Sequence, residues 1–194
     1  MKYSSLVAGF LFAAIAMPAA AQSVYTAVLS GPAEEPPNTS PATGMATVTI
    51  DPDNFTMRVQ ETFSGLVAPN TASHIHCCTD TPFEGLAPVA TTVPTFTGFP
   101  SGVTSGAYDH TFDLTNPSSY NAAFVTEHGG NASGAFAALV AGLDSGTAYA
   151  NIHSSVYPAG EIRGFLTLVP EPESYAMLLA GLGIISILAR RRRI

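Results

Sequence analysis

Clusters of proline, glycine and asparagine cut the middle of the chain into segments too short for most helices, and the residues between the cuts are rich in Val, Thr, Ile and Phe. G-P-A-E-E-P-P-N-T-S-P at 31–41 separates a segment at 24–29 from one at 45–50, and D-P-D-N at 51–54 separates the latter from 55–63 as a hairpin turn. In the third segment Phe55, Met57, Val59 and Glu61 share one face and Thr56, Arg58, Gln60 and Thr62 the other. This period of two, interrupted only by the charge of Glu61, is that of a half-buried strand. Further strands are predicted at 72–76, 107–114, 148–153 and 161–168. The stretch 82–106 holds four prolines and many Thr and Gly, and reads as a long surface loop with at most one edge strand. Segments 118–124 and 134–143 carry Ala and Leu with little β-branching, which predicts one or two short helices. The fold class is therefore mainly β: an antiparallel two-sheet β-sandwich with one or two short helices over one end.

Both ends of the chain obey different rules. Lys2, an apolar stretch at 6–17 and Ala19-Ala20-Ala21 before Gln22 have the order of a secretory signal peptide, with cleavage by signal peptidase between Ala21 and Gln22. At the other end, residues 175–189 are an uncharged apolar run that spans only roughly 22 Å as a helix. A bilayer core is about 30 Å thick. Arg190, Arg191, Arg192 and Arg193 follow at once, and a basic cluster beside an apolar helix stays cytoplasmic, which puts the body on the far side. With Pro170, Glu171 and Pro172 ahead of the run, residues 169–194 resemble the PEP-CTERM sorting signal of Gram-negative bacteria. That resemblance implies processing near Pro170–Pro172 by an exosortase-type membrane enzyme. It also implies an inner-membrane-anchored precursor with its body in the periplasm, and then a place at the cell surface or outside it, in exopolysaccharide-producing cells. The expected organisation is a signal peptide at 1–21, one domain at 22–168 and the sorting segment at 169–194.

Five of the seven basic residues, Lys2 and Arg190 to Arg193, and two of the fourteen acidic ones, Glu171 and Glu173, belong to these ends. The body keeps Arg58 and Arg163 against twelve carboxylates. A surface so poor in cations lacks the footprint that a phosphate backbone requires, so nucleic acid is excluded as a partner. About 150 residues suffice for one domain with its own core.

Two stretches of the body carry a second resemblance. Y-T-A-V-L-S-G-P-A-E-E-P-P at 25–37, with T-G-M-A-T-V-T-I at 43–50, leads to A-S-H-I-H at 72–76, and A-Y-A-N-I-H-S-S-V-Y-P-A-G-E-I-R-G-F-L fills 148–166. Together they resemble the CHRD domain, the module named after chordin and found singly in exported bacterial proteins. The resemblance implies little about chemistry. Growth-factor binding by chordin does not transfer to a single module without cysteine-rich repeats, and Cys77-Cys78 stand where the family places small residues.

His74 and His76, at i and i+2 on a strand, put two imidazoles on one face, and His153 on a second strand supplies a third nitrogen. These three are the candidate ligands for copper or zinc. The other reading is that His74 and His76 bond backbone or carboxylate groups at the end of a sheet. The His-x-His of copper/zinc superoxide dismutase, itself an antiparallel sandwich, is a fold-level analogy, and its two-metal centre needs more than the five histidines present here. A mononuclear copper redox site needs fewer. His110 and His128 sit in no ligand spacing and read as exposed. For Cys77 and Cys78 three states are open in an oxidising compartment: an adjacent disulfide, which is favoured, an intermolecular bridge, or metal ligation. Arg163 either pairs with a carboxylate or caps backbone carbonyls, or it binds a ligand carboxylate. The chain has no G-x-S-x-G, no H-E-x-x-H and no phosphate-binding glycine loop.

The leading functional reading is a non-enzymatic surface or matrix protein that binds extracellular polysaccharide or matrix proteins, or acts as a spacer among them. The alternative is a metal-binding protein. The sorting segment makes its own prediction: in a strain without its exosortase, the precursor keeps its C-terminal segment and stays in the membrane fraction. Immunoblots of membrane and medium check this, and unchanged processing would remove the sorting role.

Overall fold

A computed structural model describes residues 22–170, together with Gly181, Leu182 and Ile185, which are helical. The expectations for Ala21 and the signal peptide, for Glu171 and Pro172, and for Arg190 to Arg193 fall outside the described residues. The strands are β1 (Ser23–Ser30), β2 (Thr43–Asp51), β3 (Thr56–Ser64), β4 (Asn70–His76), β5 (Gly106–Asp113), β6 (Tyr149–Ser154), β7 (Ile162–Phe165) and β8 (Thr167–Leu168). Two helices, α1 (Ala122–Glu127) and α2 (Ala132–Asp144), lie between β5 and β6.

All strands pair antiparallel in the order β4-β6-β7-β1-β2-β3-β5, with β8 also on β1. The two expected sheets are thus joined into one curled path, and the joint is narrow. β7 meets β1 only at Ser30 opposite Arg163, and β8 meets it at Tyr25–Leu168 and Thr26–Thr167. Gly164 permits the close approach, since a Cβ there would lie 2.3 Å from the Val28 carbonyl oxygen. β1 to β3 and β5 form one half of the curl, and β4, β6 and β7 form the other. Hydrogen bonds from Ala90 to the Ile75 carbonyl and from Phe96 to the Ser73 carbonyl lay the 88–96 loop along the free edge of β4. An open edge would otherwise invite pairing with another chain.

Alternation fills the inside of the curl. Tyr25, Ala27 and Leu29, Ala46, Val48 and Ile50, and Met57, Val59 and Phe63 are all buried, and Ile75, Ala150, Ile152 and Ile162 join them from the other half. From α2, Ala135, Leu139 and Leu143 complete the core at a spacing of four, on the face of one helical stripe. Each helix starts on an asparagine whose side chain accepts a backbone N–H: Asn121 from Ala123 and Asn131 from Gly134. Pro117–Ser119 takes a 3-10 turn capped by Asn116, which is why helix begins at 122 and not at 118. Phe55, expected on the buried face of β3, instead sits in the turn at φ 50°, with its exposed ring 5.2 Å from Phe136.

Glu61 keeps the inward register that its neighbours dictate, and its carboxyl is fully buried. Ser73 donates to its Oε2 at 2.7 Å, while Oε1 meets no partner. Burial pushes its pKa up to about 8, opposed only by the Ser73 hydrogen bond. At neutral pH the core therefore holds a carboxylic acid, not an ion. Between pH 4.5 and 8 the folded state binds one proton more than the unfolded state, so stability is full below that window and falls as pH rises through it. Glu61→Gln should flatten this fall, on the order of 1 kcal/mol per pH unit. Urea unfolding of wild type and variant at a series of pH values measures it, and equal pH slopes would contradict the assignment.

Candidate metal centre

β4 and β6 lie side by side with Ala72 opposite His153, His74 opposite Asn151 and His76 opposite Tyr149. The two-residue pleat then places His74, His76, Tyr149, Asn151 and His153 on one face, while Ser73, Ile75, Ala150 and Ile152 point into the core. β7 extends that polar face with Arg163 opposite Asn151 and Phe165 opposite Tyr149. Segments 31–38 and 77–96 cover the face, and they contribute the hydrogen bonds that hold it.

One ring nitrogen from each of His74, His76 and His153 lies within 4.8 Å of the other two. The opposite nitrogen of each ring touches a backbone carbonyl: His74 Nε2 at Pro94 (2.7 Å), His76 Nδ1 at Ala87 (2.8 Å) and His153 Nδ1 at Pro158 (3.0 Å). A carbonyl oxygen only accepts, so each of these nitrogens carries the proton and donates. The nitrogens left over, His74 Nδ1, His76 Nε2 and His153 Nε2, are therefore bare lone pairs, and we assign them as the three of the cluster. His74 Nδ1 and His153 Nε2 stand 3.4 Å apart with no proton for either to give. His76 Nε2 is buried without any partner. Burial drives the pKa of both His74 and His76 down to about 4 against their carbonyl hydrogen bonds, and the neighbouring imidazoles push the same way. Burial lowers His153 as well. All three rings are neutral at physiological pH, the form that coordinates metal.

Beyond the histidines, Tyr149 stacks on His76 at 4.7 Å and 7°, and its hydroxyl shares the Ala87 peptide with the His76 ring. Arg163 lies 4.9 Å over the Tyr149 ring and donates to the carbonyls of Ala33 and Gly85 and to Glu35. It thereby straps both covering segments to the sheet. Both sequence readings of its structural role, carboxylate partner and carbonyl cap, describe bonds it makes. Glu161 engages Ser40 and the Val67 backbone instead. Glu34 accepts from Asn151 at 2.8 Å, and burial raises its pKa to about 7 in spite of Arg163 4.0 Å away. Gly160, at φ 138°, closes over this pair. A Cβ there would fall 2.5 Å from Asn151 Nδ2 and 2.7 Å from Glu34 Oε1.

Cys77 and Cys78 are bonded to each other. They point away from the histidines and rest on α2, where a Cβ on Gly142 would meet both sulfurs. His110 and His128 stand apart from the cluster and are half-buried, not exposed as the sequence suggests, each ring against an aromatic neighbour, Phe112 and Phe124. Gln22 is exposed and bonds Asp51. Pro170 directly follows Val169, whose N–H donates to the Val24 carbonyl. Sequence reasoning missed Glu34, Asn151 and Tyr149. Residues 34 and 151 are a whole domain apart, and only the period-two register of 149, 151 and 153 hinted that they share a face with a histidine.

Residues 25–166 match the CHRD domain, and residues 168–193 match the PEP-CTERM protein-sorting motif. The chain belongs to the CHRD domain family, and its tail marks it as an exported protein that exosortase-type machinery processes and sorts. No curated protein matches it.

The Gly160 geometry is open to direct test. Gly160→Ala forces a side chain into a left-handed backbone and against Glu34, and should cost about 1–3 kcal/mol of stability. Ala159→Gly, one residue away and exposed, serves as control. Chemical denaturation reads both, and equal midpoints would refute the packing described.

Proposed function

We propose that this protein is carried to the cell surface or beyond as a metal-binding module, with one copper or zinc ion held by His74 Nδ1, His76 Nε2 and His153 Nε2. The observation that carries the reading is the direction of the three protons. Each ring spends its N–H on a loop carbonyl, so three unprotonated nitrogens face one another, an arrangement that a shared cation relieves. A backbone carbonyl behind each ligand is the usual outer support of a metal-bound imidazole, and a set of neutral imidazoles suits zinc and copper. Three protein ligands leave a position open for water or another molecule. The sequence alone favours a module that binds polysaccharide or matrix proteins over a metal centre. The converging lone pairs reverse that order, and the acidic exterior and sorting tail remain compatible with a place in the extracellular matrix.

The test is elemental analysis and isothermal titration of the full-length chain. One zinc or copper ion per chain is expected. His153→Ala should weaken binding by at least the ~10–100-fold that loss of an outer support costs, while His110→Ala and His128→Ala leave it unchanged. Because burial holds the His74 and His76 pKa values near 4 and lowers that of His153 as well, the ion should be retained at pH 6 and released as the pH falls towards 4. Folded protein that takes up no ion at pH 7 would remove the proposal.

A further inference from the structure

Resting on the metal reading above, we infer that the site is built for a cation of low charge, and that Arg163, acting through the Tyr149 ring, biases it toward copper(I) over copper(II). Three features point the same way. The donor set is three neutral imidazoles, and among the described residues no carboxylate or thiolate joins the group; both cysteine sulfurs are bonded to each other. The guanidinium lies 4.9 Å from the Tyr149 centroid, which is itself 4.7 Å from the His76 centroid, so a positive charge sits within about 10 Å of a ligand ring. The carboxylates that could offset it do so weakly. Burial raises the Glu34 pKa to about 7, so that it carries only part of a charge at neutral pH, and Glu35, whose side chain is 48% exposed, contacts the guanidinium at 3.2 Å.

Each added unit of charge on the ion therefore meets a cation across a stack of two rings, a cation whose partial compensation comes from Glu35 and Glu34. At this separation in a partly buried site, one charge changes such an equilibrium by about an order of magnitude. The stack also explains the order of the layers. Among the described residues, Tyr149 is the one side chain that contacts the Arg163 charge, the His76 ring and, through its hydroxyl, the Ala87 peptide that fixes the His76 proton. Arg163 and Tyr149 are thus positioning residues and do not touch the ion.

The experiment measures copper(I) and copper(II) affinities of the full-length chain by competition with chelators of known affinity, with copper itself as the probe. Arg163→Met should raise the ratio of copper(II) to copper(I) affinity about tenfold. Glu35→Gln, which leaves the guanidinium without its exposed partner, should lower that ratio, and because Glu35 is on the surface this variant keeps the fold if the arginine variant does not. Shifts of opposite sign support the inference. A ratio that is unchanged in Glu35→Gln, or that moves the same way in both folded variants, overturns it while one copper per chain leaves the metal reading intact. A wild-type chain that binds zinc but no copper in either state overturns the inference alone, and one that binds neither metal overturns both.

Discussion

Three backbone carbonyls, those of Ala87, Pro94 and Pro158, set how the clustered histidines present their free nitrogens. Each accepts the single proton of a neutral imidazole and so turns the other nitrogen of that ring toward a common point. None of the three belongs to the sheet that carries the histidines. They sit on loops: Arg163 ties down the one that carries Ala87 and Pro94 through the Gly85 carbonyl, and Asn38 holds the end of the turn that carries Pro158 through the Gly160 and Glu161 carbonyls. The fold's unusual feature, a sheet that curls on itself through a joint only a few residues wide, creates this situation. The inner face makes the core, and the outer face of β4, β6 and β7 is roofed by segments 31–38 and 77–96.

Electrostatics then fits the roof. Several buried ionisable groups are displaced in the direction that removes charge: Glu61 in the core, Glu34 under the roof, and the histidines. The exception is Arg163, which spends its donors on two carbonyls and a carboxylate and lends its charge to the neighbouring rings. A protein whose body is strongly acidic thus keeps one buried arginine beside the three clustered histidines.

Much of this was legible in the sequence, for identifiable reasons. Strands β1 to β7 announce themselves because period-two alternation and punctuation by Gly and Pro are local signals, and His74 with His76 follows from the same pleat. The hydrogen bonds that give the histidines their meaning are invisible to such reading, since Pro94 and Ala87 contribute only backbone oxygens from a loop whose path no pattern predicts. Glu61 looked like a break in a strand, yet it follows the pattern fully. Burial changed its protonation and left the register alone. The joining of the halves through β1 was hidden as well, because it depends on one glycine, Gly164, whose role is to be absent at Cβ.

The most direct test of the account is the tautomeric state of the histidines, read by nitrogen-15 NMR of the metal-free protein at neutral pH. The account predicts three neutral rings, with His74 protonated on Nε2 and both His76 and His153 protonated on Nδ1. A proton on His74 Nδ1 or on His76 Nε2, or a charged ring at pH 7, would mean that the lone pairs do not converge, and the metal centre would fall with them.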